Sequence, residues 1–365
     1  MTTPLRAVIA DDSALYRALL MRTLAKLEDV QVVAQAANGS EALDCVRKHN
    51  PDFLTLDLNM PKLDGLGALR KIREERLGCE VIMVSAETRQ GAATTLEALQ
   101  LGAVDFITKP DKEDAQVNAL ALETELRRQL AAIRLRRNRR VHAPSAMSLA
   151  RMPIAKLPIS APVLEVATVR LVPQVIAIGV STGGPAALPV LMSALPERLG
   201  VPVLLVQHMP PLFTASLADS LNGKCALRVQ EGHDGQRVTA DNVYIAPGGR
   251  HMKVKRAFDQ SIRLSICDDP PENHCRPSVD VLFRSVGEEF GGSVVAVILT
   301  GMGNDGVAGL RILKRHGARV IAQDEASCTV FGMPQEAIRA GVVDSVLPLN
   351  RIADALVSAV HPNGK

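Results

Sequence analysis

Five short runs, LRAVIA, VQVVAQA, DFLTLDL, EVIMVSA and VDFITKP, recur at near-regular intervals through the first 125 residues. They are rich in β-branched and aliphatic residues, as strands covered on both faces are. The stretches between them are long enough for crossover helices. One is SALYRALLMRTLAKL, where Ser13 is placed to cap the first turn. This strand–helix repeat predicts a doubly wound, parallel α/β sheet. A site on such a sheet lies at the carboxyl ends of its strands.

The same alternation resumes further on. QVIAIGV, VPVLLVQ, NVYIAP, IRLSI, VVAVILT, RVIAQ and VVDSVLPL read as strands, and PAALPVLMSAL, SVDVLFRSVGEEF and GVAGLRILKRHG as helices between them. They predict a second α/β unit with a largely parallel sheet. A length of 365 residues, 47% of them hydrophobic, suits two cores better than one. Between the units the pattern decays. LRRQLAAIRLRRNRR can prolong a helix, but HAPSAMSLARMPIAKLPISAP is rich in Pro, Ala and Ser and reads as a linker. The predicted division is 1–125, a linker at 126–172, and 173–362.

Charge is uneven. Residues 126 to 172 hold ten Arg or Lys and one acid, Glu165, although the net charge of the whole chain is only +3. The rest of the chain is therefore mildly acidic. Only 2% of residues are aromatic and none is Trp, which disfavours nucleic acid as a partner. Neither a secretory leader nor an apolar run of membrane-spanning length is visible, so a cytoplasmic protein with no membrane insertion is expected. The six cysteines form no CxxC pair and read as small buried hydrophobes. His274 beside Cys275 lacks a second pair at zinc-ligand spacing.

In the first unit, Asp11 and Asp12 end the first strand, Asp57 the third, Ser85 the fourth and Lys109 the fifth. Any one of these is an ordinary turn or cap residue; all five at successive strand ends are not. Crowded carboxylates repel one another but suit a hard divalent cation such as Mg²⁺. A lysine and a hydroxyl opposite would neutralise and hold a phosphoryl group on Asp57. ADDS, LDLNMPKLDG, SAETRQGA and GAVDFITKP together resemble a two-component receiver domain, across residues 5 to 125. The resemblance implies that a histidine kinase phosphorylates Asp57, and that the Asn59 carbonyl joins Asp11, Asp12 and Asp57 around Mg²⁺. It also implies a switch aromatic at Phe106 and a cis bond before Pro110.

In the second unit, GVSTG satisfies the G-x-S-x-G pattern of a nucleophile elbow, with Ser181 after a strand and before a helix. The pentapeptide by itself fits a phosphate-cradling turn or a plain strand-to-helix turn as well. A nucleophilic serine needs a base and the base an orienting group. His208, at the end of VPVLLVQ, competes for the first role with His251 and His233. Asp305 competes with Asp324 for the second, with a slight preference for Asp305 in its glycine-flanked loop. The other chain order, Ser, acid, His, would call on His316 or His361.

GVSTGGP, LLVQHMPPLFTASLADSLN, VYIAPGGRHM, HCRPSVDVLFRS, ILTGMGNDGVAGL and QDEASCTVFGMP resemble, in order, the catalytic domain of the chemotaxis protein-glutamate methylesterases, across about 174 to 348. The resemblance implies a serine hydrolase with Ser181 as nucleophile, His208 as general base and Asp305 orienting it. Backbone N–H groups near His208 or Met302 would form the oxyanion site. It implies substrates too: glutamate γ-methyl esters, and glutamines, on chemoreceptors. No cofactor is needed for that hydrolysis. Two other classes are weaker. A DNA-binding output would be a compact helical module rather than about 190 residues of α/β pattern. A nucleotide-binding module would need an acid about 20 residues after the glycine-rich turn, which is missing.

Overall fold

The computed structural model describes residues 3–86, 88–109, 114–142 and 172–362. The first unit comprises β1 (Leu5–Ala10), α1 (Ala14–Ala25), β2 (Val30–Ala36), α2 (Gly39–His49), β3 (Phe53–Asp57) and α3 (Gly65–Glu74). It continues with β4 (Glu80–Ser85), α4 (Arg89–Gln100), β5 (Asp105–Thr108) and α5 (Ala115–His142). Its five strands are all parallel, in the order β2-β1-β3-β4-β5. β3 and β4 are buried along their whole length, as strands sandwiched between helices are. Ser13 caps α1, its Oγ accepting from the Tyr16 N–H at 3.3 Å. The strand order reverses between β1 and β3, so the acidic strand ends meet at the switch point.

The sequence places a boundary at 125, but α5 runs through it to His142 as one helix. The basic run up to 142 is thus helical. The expected Pro-rich linker at 143–171 and the bond before Pro110 lie outside the described residues.

The second unit starts with β6 (Val175–Val180), α6 (Gly184–Ser193), β7 (Val203–Gln207), α7 (Phe213–Asn222), β8 (Arg228–Glu231) and β9 (Asn242–Ile245). The hairpin β10 (His251–Arg256) and β11 (Ile262–Cys267) follows, then α8 (Val279–Phe290), β12 (Val294–Ile298), α9 (Val307–Arg315) and β13 (Arg319–Gln323). α10 (Met333–Arg339), β14 (Ser345–Leu347) and α11 (Leu349–Val360) complete it. Seven parallel strands run in the order β14-β13-β12-β6-β7-β9-β8. IRLSI is a strand as expected, but it pairs antiparallel with β10 in a separate ribbon. The sequence reading missed β8 and β10. β8 is a short edge strand, and β10, HMKVKR, is half charged.

β6 is the second switch point, since the chain winds from it toward β7 on one side and β12 on the other. One apolar cluster runs through both units, where α4 packs on α6 and α7. The carboxyl edge of β6 and β12 thereby faces β5 and α5 of the first unit.

Candidate active site and acidic pocket

The acidic pocket assembles as the strand ends suggest. Asp11, Asp12 and Asp57 bring oxygens within 4.8 Å of one another. Asp11 and Asp57 are buried, and Lys109 Nζ bridges them at 2.8 and 2.9 Å. Burial, reinforced by the charge of Asp11, pushes the Asp57 carboxyl up to about 6 although Lys109 opposes this. Three carboxylates offset by one ammonium make a donor set that fits a hard divalent cation. Asn59 is exposed two residues beyond Asp57, and Ser85 is buried at the end of β4. Tyr16, which the sequence reading passed over, lies with its ring 4.8 Å from Lys109 Nζ. Phe106 points away from this pocket's chemistry: its ring stacks on Phe213 of the second unit, centroids 4.4 Å apart.

Ser181 follows β6 directly and is 2% exposed. Its N–H donates to the Thr300 carbonyl at 3.0 Å, and Thr300 Oγ1 donates to the Thr182 carbonyl at 2.9 Å. The turn thus hangs from the end of β12. It needs Gly183, whose φ is +84° and whose Cβ would lie 2.3 Å from Thr329. Gly301 is needed for closeness, since a Cβ there would meet Ser181 Cβ at 2.8 Å.

His208 follows β7, and its ring Nε2 meets Asp305 Oδ2 at 2.8 Å. Asp305, in the loop after β12, is buried. It accepts from the backbone N–H groups of Val279 (2.7 Å) and Asp280 (3.1 Å) at the start of α8, from Ser278 Oγ (2.8 Å) and from Asn273 Nδ2 (3.0 Å). Burial by itself would raise its pKa; His208, Asn273 and the helix N–H groups instead hold it well below the usual carboxylate range. Burial also disfavours charge on His208, but Asp305 and Cys275 outweigh it and push the imidazole up to about 9. The neighbouring Asp280 goes the other way, to about 6, chiefly through burial.

The rival residues are engaged elsewhere. His251 uses both ring nitrogens, on the Pro270 carbonyl and the Ser278 N–H. Asp324 accepts from Ser327 N and Oγ in the turn after β13. His233 is exposed, and His316 and His361 end helices. Ser181, His208 and Met302 line one cleft of about 680 Å³. The main-chain N–H of His208 donates to the Val180 carbonyl at 3.2 Å, so the sheet already uses that oxyanion candidate.

The far wall of the cleft is the first unit: Phe106, Lys109, Glu125 and Arg128 line it. Thr182 Oγ1 donates to Asp105 Oδ2 at 2.6 Å, and Arg128 Nη1 donates to the same hydroxyl at 3.3 Å. Asn273, Ser278 and Asp105 escaped the sequence reading, and Cys275, read there as a small buried hydrophobe, is half-buried at the cleft instead. They serve the site only through contacts far away in the chain, which leave no local pattern.

Residues 176–356 match the family model for the CheB methylesterase, and residues 7–121 that for the response regulator receiver domain. A protein-glutamate methylesterase/protein-glutamine glutaminase from Desulfotalea psychrophila is 42% identical over 98% of both chains. The chain belongs to this methylesterase/glutaminase family. An Escherichia coli K12 protein with the same description is also 42% identical, over 98% of this chain and 97% of its own. The crystal structure of the Thermotoga maritima CheB methylesterase catalytic domain is similar at a TM-score of 0.50 and 40% identity. It covers 51% of this chain and 98% of its own. Membership makes the chain a methylesterase/glutaminase with a receiver domain, the fold and enzyme class that the resemblance implied. No helix among the described residues is long and apolar enough to cross a membrane.

Proposed function

We propose that Ser181, His208 and Asp305 form the hydrolytic triad, acting on glutamate γ-methyl esters and glutamine side chains of chemoreceptors. The observation that carries this reading is the 2.8 Å contact between His208 and a buried carboxylate, in the cleft that Ser181 lines. Asp305 holds Nε2 and fixes the tautomer, leaving Nδ1 to take the Ser181 proton as Oγ attacks the ester carbonyl. The tetrahedral oxyanion is met by backbone N–H groups of the loop around Met302. His208 returns its proton to the leaving methanol, or to ammonia from a glutamine. Water, activated by the same imidazole, then cleaves the acyl-enzyme and leaves glutamate.

Control belongs to the receiver, the unit that ends in α5, with 173–362 as the catalytic unit. A chemotaxis histidine kinase passes a phosphoryl group to Asp57 in the cytoplasm. Asp11, Asp12, Asp57 and the Asn59 carbonyl would hold Mg²⁺, which offsets phosphoryl charge when bound. Lys109 and Ser85 then contact the phosphoryl oxygens. β5 and α5 stand across the cleft, so a receptor helix cannot reach Ser181 while the units are docked. The test is methanol release from methylated receptor by the full chain, with and without a small phosphodonor. Release that rises with phosphodonor and vanishes in Ser181→Ala supports the reading; release by Ser181→Ala at the wild-type rate sinks it.

A further inference from the structure

Cys275 has a place in the cleft that its sequence neighbourhood hides. Its Sγ lies 3.6 Å from His208 Nδ1, on the opposite ring edge from Asp305. Two ligands of one tetrahedral zinc ion, a thiolate at about 2.3 Å and an imidazole nitrogen at about 2.0–2.1 Å, stand about 3.5 Å apart. The pair is already at that separation. His208 is also oriented as metal-binding imidazoles are, with its other nitrogen on a carboxylate. The carboxylate is fixed in turn by Asn273, Ser278 and the start of α8. Both donors line the open cleft, so an ion can enter and keep water or Ser181 in its remaining positions.

We propose that Cys275 and His208 form an inhibitory site for a thiophilic divalent cation of the zinc class. The inhibitory part rests on the triad reading above. Binding replaces the thiol proton by a sulfur–metal bond and the Nδ1 proton of the charged imidazole by a nitrogen–metal bond, and both protons pass to solvent. The His208 Nδ1 lone pair becomes a metal ligand, and the nitrogen that must accept the Ser181 proton is lost. The acidic pocket is a different kind of site: its all-oxygen donors suit Mg²⁺, whereas sulfur and imidazole select the softer ion.

Chelator-stripped full-length protein titrated with Co²⁺ tests the site without reference to catalysis. Wild type develops a thiolate-to-cobalt charge-transfer band. Cys275→Ser lacks it, while Cys267→Ser, changed at another half-buried cysteine, retains it. In wild type, Zn²⁺ also slows alkylation of Cys275, read by mass spectrometry, which requires no variant to fold. In the methanol-release assay, half-inhibition of Cys275→Ser needs at least about 10-fold more Zn²⁺ than wild type. Mg²⁺ reproduces none of these effects. An undiminished cobalt band in Cys275→Ser, or alkylation indifferent to Zn²⁺, overturns the site. A normal band with uninhibited methanol release overturns its inhibitory role. Neither result bears on whether Ser181→Ala is inactive, so the two readings fail separately.

Discussion

Thr182, the residue after Ser181, gives its hydroxyl hydrogen to Asp105 of the receiver's last strand at 2.6 Å. A side chain one step from the proposed nucleophile is thereby tied to a strand whose next residue, Phe106, stacks on Phe213. The receiver grips the turn it covers.

Loosening that grip should release activity. Asp105→Ala removes the acceptor of Thr182 and a partner of Arg128, which stands 3.6 Å from it. Coupling between sites is typically worth about 1–3 kcal/mol, or about 5- to 150-fold. Basal methanol release by the unphosphorylated full chain should rise within that range, and a chain beginning after 142 should be at least as active. Equal basal rates for wild type and both variants would rule out occlusion by the receiver.

Asp57→Asn should keep the full chain at its basal rate whether or not phosphodonor and Mg²⁺ are present. Phosphorylation adds up to about −2 of charge beside Lys109, and without it nothing drives the receiver from its docked form. Stimulation of this variant equal to wild type would place the switch elsewhere.

The proposed triad makes a graded prediction. Ser181→Ala and His208→Ala should each lose on the order of 10⁴- to 10⁶-fold in kcat, for ester and amide alike, with Asp57 still phosphorylated. Asp305→Asn should be somewhat milder, and Asp324→Asn near wild type. A dead Asp324→Asn beside an active Asp305→Asn would reverse the choice of carboxylate.

The pH dependence follows from His208. Its pKa is raised to about 9, so at neutral pH the docked chain holds mostly imidazolium, which cannot accept the Ser181 proton. Background-corrected hydrolysis of a small ester by the full chain should therefore climb with pH until about 9 and then level off. Asp305→Asn removes the carboxylate that favours the cation, so its limb should move to lower pH. A wild-type rate flat from about pH 7 to 9 would contradict the assignment of His208 as base.

Mg²⁺ binding should weaken as pH falls through about 6, where Asp57 takes up a proton and competes with the cation. Titrations with Mg²⁺ across that range read this directly. An affinity unchanged down to about pH 5 would mean that Asp57 is not a ligand.

Much of this was legible in the chain. Apolar runs separated by helix-length segments specify parallel strands wherever they occur, because a strand buried on both faces has no polar side to show. Loops at strand ends carry polar and charged groups, so the sequence alone places Asp11, Asp57, Lys109, Ser181 and His208 on sheet edges. Spacing alone, however, did not separate Asp305 from Asp324. The order of strands did: β12 lies beside β6 and β13 one strand further out, so only the loop after β12 reaches the imidazole. Folding likewise decided the surroundings of Asp305, where Asn273 is 32 residues away in sequence and Ser278 is 27. It also set Cys275 against His208 across 67 residues, and Asp105 against Thr182 across 77. Local sequence encodes periodicity and turns, which act over a few residues. Contacts across such separations exist only once two sheets and their helices have packed, and they determine which serine is covered, which carboxylate meets His208 and which cysteine faces it.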